Sequence, residues 1–263
     1  MNIFLAVASV ASLGIVFGIL LSIAARFFAV QKDQRLEAIE KILPQVNCGA
    51  CGFAGCASYA AALVGGETAI TLCTPGGAEV AHKIADILEL EKPVLGEKKI
   101  TQVHCKGGKG TAQYTCEYSG VKDCNALFLL GGGNKACKYG CLGMGSCIKV
   151  CPVDAIDYDH TGLVVVNKKK CIGCGKCIEV CPTKVMKFIP KKADYIVACN
   201  SKDSGPATKK TCSVGCIGCK ICEKKSPEGG FVVTDYLSVI DYSKTGERGE
   251  AADKCPPKCI IRN

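Results

Sequence analysis

The chain has 263 residues and a formal charge of +9, and 22 of its residues are cysteine. So high a cysteine content indicates either a disulfide framework or bound metal, and C-x2-C and C-x3-C spacings followed by proline favour iron–sulfur ligation. The positive charge does not indicate nucleic-acid binding, because oxidised four-iron clusters of roughly −2 each would cancel most of it. We therefore expect no nucleic-acid partner.

The first predicted element is an uncharged apolar run from Ile3 to Ala25. Its length suits a helix that crosses a hydrocarbon core of roughly 30 Å. Because Arg26, Lys32 and Arg35 follow it, the positive-inside rule predicts that the bulk of the chain lies on the cytoplasmic side. A cleaved signal peptide is the alternative, but the basic segment that precedes its apolar stretch is missing. We predict residues 1–28 as a single-pass anchor in the cytoplasmic (inner) membrane.

Residues 34–90 form the second predicted unit, a small helical module. Periodicity and turn residues predict helices over Asp33–Leu43, over Ala57–Val64, and from the turn at Thr74 to about Leu90. Four cysteines from one compact stretch can close one [4Fe–4S] cluster, and the glycines between them let backbone amides approach the sulfurs. The first predicted ligand set is Cys48, Cys51, Cys56 and Cys73.

Residues 100–192 carry two runs typical of bacterial ferredoxins, with a short hairpin predicted between them. The second run, from Cys171 to Pro182, follows the C-x2-C-x2-C-x3-C-P pattern, in which the last cysteine ligates the other cluster. In the earlier run Met144 occupies the expected position of one cysteine, and Cys137 is the candidate replacement. The pattern predicts one cluster on Cys137, Cys141, Cys147 and Cys181, and another on Cys151, Cys171, Cys174 and Cys177.

Residues 193–263 repeat this pattern in an incomplete form. Ser226 replaces the cysteine before a proline, and three further positions that should hold cysteine are Thr245, Arg248 and Ala251. We expect that this pair has lost one cluster and kept one, on Cys216, Cys219, Cys222 and Cys255. The remaining cysteines either bind a further cluster or are small buried thiols; they are Cys105, Cys116, Cys124, Cys199, Cys212 and Cys259.

Together these units predict an α+β fold class: an N-terminal transmembrane helix, a small helical four-cysteine iron–sulfur module, and tandem ferredoxin-like 2[4Fe–4S] repeats. The predicted cofactors are [4Fe–4S] clusters, three from residues 34–192 and a fourth from the incomplete repeat. The chain has no tryptophan and few other aromatic residues, so its apolar core is small. We expect the clusters to serve as the core by cross-linking distant segments.

The order of these motifs resembles the iron–sulfur (B-type) subunit of the Rnf complex. The resemblance rests on Leu43-Pro-x2-Asn-Cys-Gly-Ala-Cys-Gly-x-Ala-Gly-Cys, on Cys73-x-Pro-Gly-Gly, on the anchor and on the ferredoxin pair. It implies an electron-relay subunit of an ion-translocating ferredoxin:NAD oxidoreductase, with soluble ferredoxin and other membrane and flavin subunits as partners. It also implies that the first ligand set lies nearest the membrane. A related system that reduces a redox-sensing transcription factor shares this subunit and is the alternative.

Two other function classes have less support in the sequence. A self-contained flavin or nicotinamide enzyme would need a phosphate loop, but Gly131-Gly-Gly133 lacks the G-x-G-x-x-G spacing. A structural zinc protein would use isolated tetrads, often with histidine, and the histidines here lie outside every cysteine run. We expect an electron relay with no bond-making catalytic site of its own. Lysines within residues 168–225 predict a basic surface that suits an acidic protein partner.

Overall fold

The computed structural model describes residues 2–28 and 33–263, so Lys32, used above to predict orientation, lies outside them. The first helix, α1 (Asn2–Phe27), contains the apolar stretch Val7–Phe27, whose mean hydropathy is 2.4. None of this stretch is buried inside the described structure, unlike the core helix of a soluble domain. As the sequence predicts, α1 is long and apolar enough to span a bilayer.

Three helices form the next unit: α2 (Gln34–Ile42), α3 (Cys56–Val64) and α4 (Gly77–Leu88). Asp33 caps α2 by accepting a hydrogen bond from the Arg35 amide at 2.9 Å, which satisfies one free donor at the helix start. All three predicted helices are confirmed. They enclose an apolar core that includes Ile39, Leu43, Tyr59, Leu63, Val80 and Ile84.

The next unit combines two antiparallel strand pairs with short helices. An outer pair joins β1 (Lys99–Val103) to β4 (Met186–Pro190), and an inner hairpin joins β2 (Ile156–Tyr158) to β3 (Val164–Val166). The hairpin is the one that the sequence predicts. The helices of this unit are α5 (Cys124–Leu129), α6 (Ser146–Lys149) and α7 (Lys176–Glu179).

The same order of elements occurs again in the last part of the chain. An outer pair joins β5 (Tyr195–Val197) to β8 (Ile260–Arg262), and the second predicted hairpin joins β6 (Phe231–Thr234) to β7 (Leu237–Ile240). Each outer pair therefore closes around an inner hairpin. The helices of this unit are α8 (Gly205–Thr211), α9 (Ile221–Lys225), a 3₁₀ turn (Pro227–Gly229) and α10 (Gly249–Asp253).

Thiols occupy much of the core in both strand-containing units. In the first, cysteines pack with aliphatic side chains that include Leu163, Val185 and Met186. In the second, they pack with Phe231, Leu237 and Ile240. A smaller apolar contact between Ile100, Ile189 and Ile196 joins the outer strands of the two units. The two units thus pack against each other along their outer strand pairs.

A buried arginine lies where the sequence register places the lost cluster of the second unit. The Arg248 side chain is 7% exposed, and it donates hydrogen bonds to the Gly229 carbonyl and to Asp194, each at 2.7 Å. It also donates to the Lys244 carbonyl. Ser226 and Arg248 both border Gly229, so two of the positions predicted to have lost a cysteine lie together. Charge-assisted hydrogen bonds here cross-link the segments that a cluster would otherwise join.

Candidate iron–sulfur sites

Site 1 consists of the four cysteines of the helical module, Cys48, Cys51, Cys56 and Cys73. Burial raises the pKa of the Cys73 thiol, and the other three thiols raise it further, so the four lie within electrostatic reach of one another. Asn47 ties the loop to α3, because its Oδ1 accepts a hydrogen bond from the Cys56 amide at 2.8 Å. The structure therefore brings together the first predicted ligand set.

Site 3 consists of Cys151, Cys171, Cys174 and Cys177, which line a cavity of ≈ 320 Å³. Burial, with a further contribution from the other three thiols, raises the pKa of Cys177 to about 11. The Ala155 amide donates a hydrogen bond to the Cys151 Sγ at 3.3 Å. The structure brings this predicted set together as well.

A glycine allows the site 3 loop to approach β1. Gly173 has a φ of +71°, and a Cβ at this position would lie 2.3 Å from the Lys99 carbonyl oxygen. Only glycine fits such a conformation and such an approach without displacing the strand. The contact fixes the distance between the ligand loop and the outer strand pair.

Site 2 differs from the prediction in one ligand. Its cavity of ≈ 340 Å³ is lined by Cys124, Cys141, Cys147 and Cys181. Burial is the largest cause that raises the pKa of the Cys147 thiol. The neighbouring thiols that raise it further include Cys124 but not Cys137. Cys137 instead lies beside Cys105 and Cys212. The structure thus places Cys124, and not the predicted Cys137, beside the other three cysteines of site 2.

Cys124 reaches site 2 because the start of α5 is tied to the start of α6. Asp123, the N-cap of α5, accepts a hydrogen bond from the Ser146 hydroxyl at 2.8 Å. The Ser146 Oγ in turn accepts a hydrogen bond from the Cys124 amide at 2.7 Å. Since Ser146 directly precedes Cys147, this network holds Cys124 beside the ligand loop. No spacing rule connects residues 124 and 147, and the helix cap at Asp123 is the only signal in the sequence.

Site 4 consists of the predicted set Cys216, Cys219, Cys222 and Cys255, which lines a cavity of ≈ 310 Å³. Cys259 lines the same cavity, and the sulfurs of Cys255 and Cys259 are 3.6 Å apart. Cys219 is exposed, whereas the other three ligands are buried. Site 4 thus opens to solvent on one side and contains a fifth thiol that the spacing did not assign.

Hydrogen bonding distinguishes Cys255 from Cys259 as a ligand. The thiol of Cys259 lowers the pKa of Cys216 and of Cys255 by hydrogen bonding, and its own pKa is raised by the same two contacts. Backbone amides also support Cys255 and Cys216, including a 3.4 Å bond from the Ser238 amide to the Cys216 Sγ. Ligation requires a thiolate. Its backbone amide donors and its place before Pro256 therefore make Cys255 the expected ligand, with the Cys259 thiol beside it.

We expect Cys255→Ala, made in a Cys259→Val background, to lose about four iron atoms per chain. Site 4 then lacks the one ligand that comes from outside the loop of residues 216–222. The Cys259→Val variant alone should keep its iron, since valine preserves the apolar contacts of this buried position. Iron and acid-labile sulfide are measured after anaerobic reconstitution. Unchanged iron in the double variant would contradict the assignment of Cys255, and iron loss in Cys259→Val alone would make Cys259 the ligand.

The residues of all four sites fit [4Fe–4S] clusters. Each site supplies four thiols, as such a cluster requires, and backbone amides at sites 3 and 4 donate to ligand sulfurs. In the part of the chain that the structure describes, no three His, Cys, Asp or Glu side chains are grouped as ligands of a single metal ion. Four thiols around a cavity instead suit a cluster in which each iron binds one cysteine sulfur.

Neighbouring sites lie within electrostatic reach of each other. Burial raises the pKa of Cys174 in site 3, and Cys48 of site 1 raises it further. In the same way, burial raises the pKa of Cys147 in site 2, and Cys177 of site 3 raises it further. Sites 1, 3 and 2 therefore form a continuous series.

Two family models match the chain over cysteine-rich segments. The model described as "Putative Fe-S cluster" matches residues 43–75, which contain site 1. The model described as "4Fe-4S dicluster domain" matches residues 136–189, which contain site 3 and three of the cysteines of site 2. Both matches agree with the [4Fe–4S] clusters inferred from the residues.

Curated relatives match nearly the whole chain, and each is the B-type subunit of its complex. That of the ion-translocating oxidoreductase complex of Methanosarcina acetivorans is 39% identical over 97% of this chain and 96% of its own length. That of the Na⁺-translocating ferredoxin:NAD⁺ oxidoreductase complex of Acetobacterium woodii is 40% identical over 94% of this chain and 74% of its own. That of the proton-translocating ferredoxin:NAD⁺ oxidoreductase complex of Clostridium ljungdahlii is 41% identical over 94% of this chain and 88% of its own.

Proposed function

This chain belongs to the family of B-type subunits of Rnf ion-translocating oxidoreductase complexes, and from that premise we propose that it relays electrons from reduced ferredoxin through its [4Fe–4S] clusters. The observation that carries the proposal is the continuous series of four-cysteine sites. Two relatives are named as subunits of ferredoxin:NAD⁺ oxidoreductase complexes, which supports soluble ferredoxin as the donor. Other membrane and flavin subunits of the complex would receive the electrons and reduce NAD.

The residues of the chain hold the clusters and tune them. When bound, a [4Fe–4S] cluster accepts and releases one electron at a time, without making or breaking bonds in the protein. The cysteines orient each cluster relative to the next. Amide donors such as Ala155 and Ser238 stabilise the charge on the ligand sulfurs and so influence the potential. The aliphatic side chains around the sites limit water access and lower the local dielectric.

We infer a four-part organisation: an anchor at residues 1–28, the module at 34–90, and tandem ferredoxin-like units at 100–192 and 193–263. The repeated order of an outer strand pair around an inner hairpin supports the tandem units. A shared loop feature supports them too, because each C-x-G segment that begins a ligand loop has its glycine at positive φ. These glycines are Gly143, Gly173 and Gly218.

Site 4 is the proposed point at which electrons enter the chain. Its ligand Cys219 is exposed, and the surrounding surface carries exposed lysines that suit an acidic donor. These are Lys220, Lys224, Lys254 and Lys258. At the other end of the series, site 1 belongs to the module that follows α1 along the chain, which suits transfer to membrane partners. Arg26 and Arg35 support the cytoplasmic side for this bulk.

We expect the double variant Lys220→Glu/Lys224→Glu to slow cluster reduction by reduced ferredoxin by about tenfold at low salt, because reversed charges remove electrostatic steering. The difference should shrink at about 0.5 M salt through screening. Stopped-flow absorbance with purified ferredoxin measures the rate. Lys109→Glu/Lys122→Glu, which reverses two exposed lysines outside the basic surface of residues 168–225, is the matched control.

A second reductant, dithionite, shows whether a slower reduction by ferredoxin comes from weaker docking or from damaged clusters. Dithionite should reduce the clusters of all three proteins at equal rates, since it needs no docking surface. Equal ferredoxin rates in the site 4 variant and the wild type would contradict electron uptake at site 4. Failure of reduced ferredoxin to reduce any cluster in the wild type, while dithionite succeeds, would overturn ferredoxin as the donor.

A further inference from the structure

A further set of four cysteines lies where the two strand-containing units meet. Cys105, Cys137, Cys199 and Cys212 line a cavity of ≈ 380 Å³. Each unit contributes an equivalent pair: one cysteine two residues after its first outer strand, and one at C-x3-C spacing before its first ligand loop. The cavity is therefore built symmetrically from both units, in the same way as a shared ligand site.

The four thiols interact with each other. Burial raises the pKa of Cys137, and Cys105 and Cys212 raise it further. Burial likewise raises the pKa of Cys199 to about 12, with Cys105 among the neighbouring thiols that add to it. Cys105 thus lies within electrostatic reach of the other three. All four line one cavity, as the cysteines of sites 2, 3 and 4 do.

Backbone amides point at these sulfurs from the neighbouring sites. The amide of Cys141, a site 2 residue, donates to the Cys105 Sγ at 3.4 Å. The amide of Cys216, a site 4 residue, donates to the Cys199 Sγ at 3.2 Å, and Ser201 donates to the same sulfur at 3.4 Å. These contacts place the cavity directly between site 2 and site 4.

A buried lysine beside the cavity indicates an anion. Lys135 is 6% exposed, and its Nζ donates to the carbonyl oxygens of Gly107 at 2.7 Å and of Cys141 at 2.6 Å. Within residues 2–28 and 33–263, no carboxylate forms an ion pair with it. A buried ammonium group needs a compensating negative charge. The Lys135 Nζ bonds the carbonyl of the site 2 residue Cys141, and Lys135 also lines this cavity, so thiolates on both sides would supply that charge.

We propose that Cys105, Cys137, Cys199 and Cys212 hold a fifth [4Fe–4S] cluster that connects site 2 to site 4. On assembly each thiol loses one proton and its sulfur forms one bond to iron; two ferrous ions, two ferric ions and four sulfides are the co-reactants, so no electron is gained or lost. One electron would arrive from site 4 and leave towards site 2, so the transfer consumes no proton and no other reactant. The connecting role rests on the proposed relay function, whereas occupancy of the site does not.

Iron content of the full-length chain tests the site. After anaerobic reconstitution with iron and sulfide, the wild type should contain about 20 iron atoms, and Cys137→Ala and Cys212→Ala about 16 each. Cys116→Ala, which removes an exposed thiol outside all five sets, should keep about 20. Unchanged iron in both cavity variants would overturn the proposal. Because a variant can fail to fold, Mössbauer spectroscopy counts the clusters in the wild type independently, and four clusters there would also overturn it.

Reduction of the Cys137→Ala variant by ferredoxin tests whether the fifth cluster carries electrons from site 4 to site 2. The same measurement on the wild type tests ferredoxin as the donor. In Cys137→Ala, reduced ferredoxin should still reduce site 4, while site 1 stays oxidised, as followed by electron paramagnetic resonance of freeze-quenched samples. Reduction of site 1 at the wild-type rate would overturn the connecting role. If ferredoxin reduced no cluster in the wild type, the donor assignment would fail, and the iron counts would still decide the fifth site.

Discussion

Removal of iron is expected to unfold residues 100–263 while helices α2 to α4 stay folded. The strands of this region have three to five residues and form only two-stranded sheets, which are marginally stable alone. Their cores consist largely of thiols that would be held together by iron. We expect amide protection in β1 to β8 to fall by roughly a hundredfold or more. Hydrogen exchange with mass spectrometry, before and after anaerobic chelation, measures this loss.

The helical module provides an internal control for the same experiment. Its core contains Ile39, Tyr59, Leu63 and Ile84 in addition to the cysteines, so burial of apolar surface still stabilises it without iron. Protection in α3 and α4 should therefore decrease much less than in the strands. Unchanged protection in β1 to β8 after complete iron removal would contradict the view that cluster ligation holds these units together.

Cys124→Ala is expected to remove the cluster of site 2, with a loss of about four iron atoms per chain. Cys124 lines this cavity together with Cys141, Cys147 and Cys181, and no other thiol of the described residues lines it. The loss would interrupt the series between site 3 and the second unit, so ferredoxin should no longer reduce site 1. Iron analysis and electron paramagnetic resonance measure the two effects.

A double variant decides whether Cys124 and Cys137 belong to one site or to two. If they serve different clusters, Cys124→Ala/Cys137→Ala should lose about eight iron atoms, because losses at independent sites add. If both served one cluster, the double variant would lose only about four. Cys116→Ala, with its thiol exposed outside these sets, controls for the loss of a cysteine as such.

Three of the ligand sets predicted from cysteine spacing lie together in the structure, those of sites 1, 3 and 4. Cys171, Cys174 and Cys177 lie in one tight loop, and the crossing ligand before a proline follows from the ferredoxin pattern. The same reasoning predicted Cys255, because the register continued through the degenerate repeat. The helical module was predictable too, since its four cysteines lie within a short stretch and its helices have clear apolar periodicity.

Spacing did not predict that Cys124, from another segment, lines the site 2 cavity. Cys137 is the natural replacement at site 2 by spacing alone, because it lies only four residues before Cys141. The hydrogen bonds of Asp123 and Ser146 instead bring Cys124 to the cavity, and nothing in the local pattern encodes that contact. Cys259, by contrast, lies beside Cys255 through a local turn, in which the Lys258 amide donates to the Cys255 carbonyl.

The sequence by itself determined that this protein has an apolar N-terminal helix and several cysteine motifs spaced for [4Fe–4S] clusters. Such features are local, because a bilayer-spanning run and a ligand loop are each complete within a short stretch of chain. Only the tertiary structure decided which distant thiols share a cavity. Docking of the outer strand pairs through Ile100, Ile189 and Ile196 brings the two units together. That packing converts four cysteines without a common motif into the cavity that joins site 2 to site 4.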